Sequence, residues 1–148
     1  MNIIFLFLAF LIGISNTVQS GVNAGLRESL GNPILAAIFS FAGGLTILTV
    51  VFLIFNQDPV PSLSDIRQVP WTRFLGGLCG AFYVLTVIFI VRDIGPANML
   101  CLVVAGQMIA AMTIDHFGFQ GFDVHPITLP RILGAVLLIA GVYLIVKN

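Results

Sequence analysis

Charge is what this sequence has least of. Of its 148 residues 8% are Asp, Glu, Lys or Arg and 59% are hydrophobic, whereas a soluble domain averages about 25% charged residues. Too few polar side chains exist to cover a water-exposed surface, so the chain is expected to be an integral membrane protein with the lipid bilayer as its surroundings. Six basic residues balance six acidic ones. This leaves no basic face for nucleic acid and no acidic tail. Cysteine is confined to Cys79 and Cys101, both inside apolar segments without Cys-x-x-Cys or Cys/His spacing, so they read as small buried hydrophobes. There is no Gly-x-Ser-x-Gly, no His-Glu-x-x-His and no phosphate-cradling loop. Enzymatic chemistry therefore has no visible home, and no cofactor is expected.

A further absence bears on transport. Every carboxylate (Glu28, Asp58, Asp65, Asp93, Asp115, Asp123) falls in a loop or at a helix end, and none occupies the membrane midplane, where a proton-driven antiporter of charged drugs would keep one. Amides, hydroxyls and aromatics suit a neutral or zwitterionic solute better.

What the sequence does have is long apolar runs. Helices are expected over residues 2–24, 33–55, 73–91, 95–114 and 129–146, each long enough to cross about 30 Å at 1.5 Å per residue. The fold class is thus an all-α membrane protein, with residues 1–148 forming one five-helix transmembrane domain. The first run imitates a signal peptide, but no Lys or Arg precedes it and the chain starts at Met1, so it reads as an uncleaved span. Loops are expected at 25–32, at 56–72, where three prolines forbid a continuous helix and Trp71 suits the headgroup region, at 92–94, tight enough to force an antiparallel hairpin, and at 116–128.

Alternating spans place Arg67, Arg73 and Arg131 on one side of the membrane and Arg27, Arg92 and Lys147 on the other. Because Lys/Arg asymmetry in short loops sets orientation, this tie predicts insertion both ways and pairing of two copies as an antiparallel homodimer. Such a dimer would reproduce with two chains the inverted repeats that many transporters carry in one. The competing reading is a chance tie in a one-way protein.

Asn16, Gln19, Ser20, Asn23 and Arg27 recur at three- and four-residue steps, forming one polar stripe within about 100° of helix surface. The stripe is either a wall of a substrate cavity or interhelical glue worth about 0.6–2 kcal/mol per bond. Ser40 heads an S-F-x-G-G run that also suits close packing. Tyr83, near mid-span after Gly76, Gly77 and Gly80, needs a partner for its hydroxyl. Gln107 stands deep in an apolar helix, where an unpartnered amide costs roughly 2–7 kcal/mol, and is the sharpest single candidate for substrate contact. Asp115 and His116, at that helix's exit, read as a loop cap and headgroup anchor or, alternatively, as a gate or proton relay. With Asp123 and His125 they imitate a metal site, but at nonspecific spacing, and no metal is expected. The last helix, with Gly134 and Gly141 on one face, reads as scaffold or dimer contact.

The motif order N-x-x-Q-x-x-x-N from Asn16 to Asn23, S-F-x-G-G from Ser40, P-W then G-G-x-x-G from Pro70, and G-Q-x-x-x-x-x-x-x-D-H-F-G from Gly106 resembles the YdcZ-type family of the drug/metabolite transporter (DMT) superfamily. The closing stretch, R-x-x-G-x-x-x-x-x-x-G-V-x-L from Arg131, is similar to the last helix of a five-helix EamA-like repeat. The likeness spans essentially the whole chain; Thr72-Arg73 after Trp71 departs from it. It implies a bacterial inner-membrane half-transporter with no agreed substrate. The expected function is export of a small organic solute by alternating access, with Asn16, Gln19, Asn23, Ser40, Tyr83 and Gln107 contacting the solute. The rivals are a small-ion channel and a non-transporting partner subunit of another half-transporter.

Overall fold

The computed structural model describes residues 2–147, so Met1 and Asn148, the ends of the expected domain, lie outside the described residues. The chain forms α1 (Ile3–Leu30), α2 (Pro33–Phe55), a short α3 (Leu63–Gln68), a 3-10 turn (Trp71–Phe74) running into α4 (Leu75–Ile94), α5 (Pro96–Phe117), a second 3-10 turn (Phe119–Gly121) and α6 (Leu129–Lys147). Among the described residues there is no strand. Among the described residues five segments are long and apolar enough to cross a membrane: α1, α2, Trp71–Ile94, α5 and α6.

The helix ends differ from the expected ones. Residues 25–30 are the last turns of α1, not a loop; the stop is Gly31, left-handed at φ 63, a conformation glycine adopts without a Cβ penalty. The fall in hydropathy after Ala24 marks where the chain leaves lipid, not where it stops being helical. At 28 residues α1 is about 42 Å long, against a hydrocarbon core of about 30 Å, so the turn bearing Arg27 and Glu28 reaches beyond the core. The connection to α2 is only Gly31 and Asn32. The Asn32 side chain accepts hydrogen bonds from the backbone N–H groups of Ile34 (2.9 Å) and Leu35 (3.2 Å), and Pro33 fills the first helical position, where no N–H is needed.

Arg92, Asp93 and Ile94 likewise form the last turn of α4, which breaks at Gly95 (φ 81) before Pro96. α5 continues to Phe117, so Asp115 and His116 are helical rather than at a loop mouth. The proline-rich loop holds an unexpected helix, α3, nucleated by a capping box: the Ser62 hydroxyl accepts from the Asp65 N–H, and the Asp65 carboxylate accepts from the Ser62 N–H (2.9 Å) and hydroxyl (2.6 Å). The Ser62 hydroxyl, with its backbone N–H second, holds the Asp65 carboxyl below its ordinary range. A depressed folded pKa contributes stability that is present above the unfolded value and lost as pH falls through the folded one. Amide exchange of residues 63–68 is therefore expected to stay slow down to the ordinary carboxylate range and quicken only below it, and Asp65→Asn should abolish that dependence.

Two compact units, Met1–Arg92 and Asp93–Asn148, divide the chain. In the first, Ala36 of α2 meets Val84 and Ile88 of α4, with Leu26, Ala37 and Tyr83 packed around them. α4 buries Val84, Val87, Ile88 and Val91, which recur at three- and four-residue steps on one face. In the second unit α5 packs against α6. Most other large apolar side chains are exposed, as a bilayer solvent permits and water does not.

Gly118, the C-cap of α5, has φ 63, and a Cβ there would come 2.8 Å from Val124 Cγ2 and 3.1 Å from the Phe122 carbonyl oxygen. Gly31 has the same φ but nothing within 4 Å. Gly31→Ala should therefore lose only the left-handed penalty of about 1–2 kcal/mol, and Gly118→Ala distinctly more. Thermal unfolding of the two variants in detergent checks the order.

Candidate functional site

The polar stripe of α1 divides on folding. Ser20 (3% exposed) and Asn23 (5% exposed) are buried, and the Ser20 hydroxyl donates back to the Asn16 carbonyl at 2.9 Å. The Asn16 amide donates to the Tyr83 hydroxyl at 2.7 Å, tying α1 to α4. This gives Tyr83 its partner and gives Asn16 a structural task. At the end of the stripe, Arg27 Nη1 donates to the carbonyls of Ile88 (2.8 Å) and Phe89 (3.0 Å), with its guanidinium 5.7 Å from the Phe89 ring centre. One residue on, Glu28 pairs with Arg92. The α1 and α4 ends are thus clasped by two arginines, a role the sequence analysis did not assign.

Gln19 sits at the edge of the stripe, facing a groove of about 350 Å³ lined also by Ser40, Phe41, Gly44, Leu45, Leu48 and Val84. Neither the Gln19 amide nor the Ser40 hydroxyl bonds to another side chain or backbone group among the described residues. In an apolar surround both are therefore free to bind a solute. The groove carries no charged side chain. Its recognition chemistry is a neutral amide, a hydroxyl and an aromatic face. A second groove of about 300 Å³, wholly apolar, is lined by Ile34, Ala37, Ile38, Phe41, Ala81 and Leu85. Phe41 walls both; its ring stands within 4 Å of where a Cβ on Gly80 would be. Ser40 was expected among the solute contacts, but Phe41, the aromatic one residue beyond that hydroxyl, was not.

In the second unit Gln107 is exposed on α5 and has no side-chain hydrogen bond among the described residues. Asp115 and His116 hold the following loop. Asp115 pairs with Arg131 at 2.9 Å, its carbonyl accepts from the His125 N–H at 2.8 Å, and Arg131 also donates to the His125 carbonyl at 3.0 Å. His116 Nδ1 accepts from the Ile127 N–H at 3.2 Å, so that nitrogen is the unprotonated one. The His125 ring turns to the Asp123 carbonyl at 3.0 Å. Among the described residues no three His, Cys, Asp or Glu side chains converge as a metal site would need.

The family described as "Putative inner membrane exporter, YdcZ" matches residues 4–144. Inner membrane protein YdcZ of Escherichia coli (strain K12) is 29% identical over 145 residues, which covers 97% of this chain and 96% of that protein. No solved structure gives a significant match.

Proposed function

The chain belongs to the YdcZ family of inner-membrane exporters, and from that premise we propose that it moves a small neutral or zwitterionic organic solute out of the cell by alternating access, as an antiparallel homodimer. It is a multi-pass membrane transporter of the inner membrane; the solute class, the mechanism and the pairing are this reading's own. The observation that carries it is the uncharged groove with the free Gln19 amide and Ser40 hydroxyl. Such groups discriminate solutes by hydrogen bonding without holding a bare cation, and apolar walls release the solute when the groove repacks.

Gln19 and Ser40 are assigned direct contact, with Asn16, Tyr83 and Asn23 as the polar wall behind them. Gln107 is assigned a separate contact on α5, tested by its own variant. Asp115 and His116 act in this reading by fixing the loop at residues 118–128, on which a gating motion would depend. The equal division of basic residues supports the pairing, since a copy inserted the other way stands to the first as an inverted repeat.

The test is uptake into proteoliposomes of a radiolabelled panel of neutral and zwitterionic amino acids, polyols and sugars. Saturable flux of at least one solute is expected, lowered about tenfold or more by Gln19→Ala or by Gln107→Ala, the effect of losing a hydrogen bond in a dry site. Undiminished flux in both variants would remove the site assignment. Flux that rises linearly with concentration would favour a channel instead.

A further inference from the structure

Between α5 and α6 of the second unit lies a groove of about 270 Å³, lined by Met108, Ala111, Met112, Asp115, Arg131, Gly134 and Ala135. We propose that this groove binds one zwitterionic phospholipid with a primary ammonium headgroup, its phosphate on Arg131, its ammonium on Asp115 and an acyl chain along the methionines. The inference does not rest on the transport reading.

The polarity of the groove runs the way a lipid does. Asp115 belongs to the last turn of α5 and Arg131 to the first turn of α6, which puts both at the membrane interface. Met108 stands about 10 Å further along α5, and Gly134 about one turn further along α6, so the groove becomes wholly apolar toward the bilayer interior. The ion pair is half-exposed, at 38% for Arg131 and 35% for Asp115, within reach of a headgroup.

The pair is also unsaturated. Arg131 spends one N–H on Asp115 Oδ2 and one on the His125 carbonyl, leaving three of the five guanidinium N–H groups. Asp115 Oδ1 accepts no hydrogen bond among the described residues. The free donors match phosphate oxygens and the free acceptor matches an ammonium. Net charge at the site is zero, so an anionic headgroup would meet Asp115 as a like charge. A quaternary ammonium offers no N–H to Oδ1. A free zwitterion of the same headgroup would leave Met108, Met112 and Ala135 uncovered.

The full chain is to be equilibrated in mixed micelles holding equal amounts of dioleoyl phosphatidylethanolamine, phosphatidylcholine and phosphatidylglycerol, with retained lipid read by native mass spectrometry. Enrichment of the ethanolamine lipid by about tenfold over the other two is expected, the scale of a charge-assisted hydrogen bond. Asp115→Asn should erase the preference over phosphatidylcholine. Because that change also touches the loop, Gly134→Leu provides the second variant: a Cβ at 134 meets nothing within 4 Å, so the new side chain fills the groove and leaves the ion pair in place. It should lower retention of all three lipids, with the unfolding temperature maintained. Chain-free glycerophosphoethanolamine should not displace the lipid. Equal retention of the three headgroups, preference for phosphatidylglycerol, displacement by the chain-free headgroup, or unchanged retention in Gly134→Leu would each overturn the proposal.

Discussion

Lys147→Gln is expected to turn the dual insertion proposed above into threading almost wholly one way. In the parent chain Arg67, Arg73 and Arg131 stand against Arg27, Arg92 and Lys147, and the structure keeps all six at helix ends or in the long loop. Removing Lys147 leaves three against two, and the richer side is retained in the cytoplasm. Among the described residues the side chain makes only a ring contact, 5.6 Å from Tyr143, worth about 0.5–1 kcal/mol when exposed, so the fold should survive. Arg67→Gln tips the balance the other way. Thiol labelling of cysteines introduced near each terminus, in a background without Cys79 and Cys101, reads the outcome. The two variants should move in opposite directions, each losing flux when expressed alone and regaining it when expressed together, because each supplies the orientation the other lacks. Identical labelling of parent and both variants, all on a single face, would sink the antiparallel pairing.

Arg27→Lys separates orientation from packing. The charge count is unchanged, so labelling of the termini should match the parent. The clasp is not preserved, because Arg27 reaches two successive carbonyls of α4 and covers the Phe89 ring. Both bonds come from Nη1, a position that the lysine nitrogen falls one bond short of, and an ammonium has no flat face to lay over the ring. A hydrogen bond from a charged donor contributes about 1.5–3 kcal/mol, and its loss at the α1–α4 junction should lower the unfolding midpoint in detergent by the corresponding amount. Arg92→Lys, at a side chain that among the described residues pairs only with the exposed Glu28, should cost about 1 kcal/mol or less. If Arg27→Lys proves as mild as Arg92→Lys, the clasp contributes nothing special.

The number of spans was legible because hydropathy measures transfer into lipid, which each segment undergoes on its own. The same quantity misplaced the ends of α1 and α4. Arg27, Glu28, Arg92 and Asp93 lower hydropathy without breaking a helix, and the real stops are the positive-φ glycines Gly31 and Gly95. The helix α3 was legible in principle from Ser62 and Asp65 at capping-box spacing, but three nearby prolines argued against it. The polar stripe was legible as a run of positions recurring along one helix. Which of its members bond to α4 and which face a groove depends on how α2 and α4 seat against α1. That is a packing outcome: Asn16 goes to Tyr83, Gln19 to the groove. No periodicity in one segment encodes it.

A single ring, that of Phe41, is shared by an amide-lined chamber and a greasy one. A turn of that ring that widened one groove would narrow the other, so bulk introduced at Ala81 is expected to reach Gln19 only by way of Phe41.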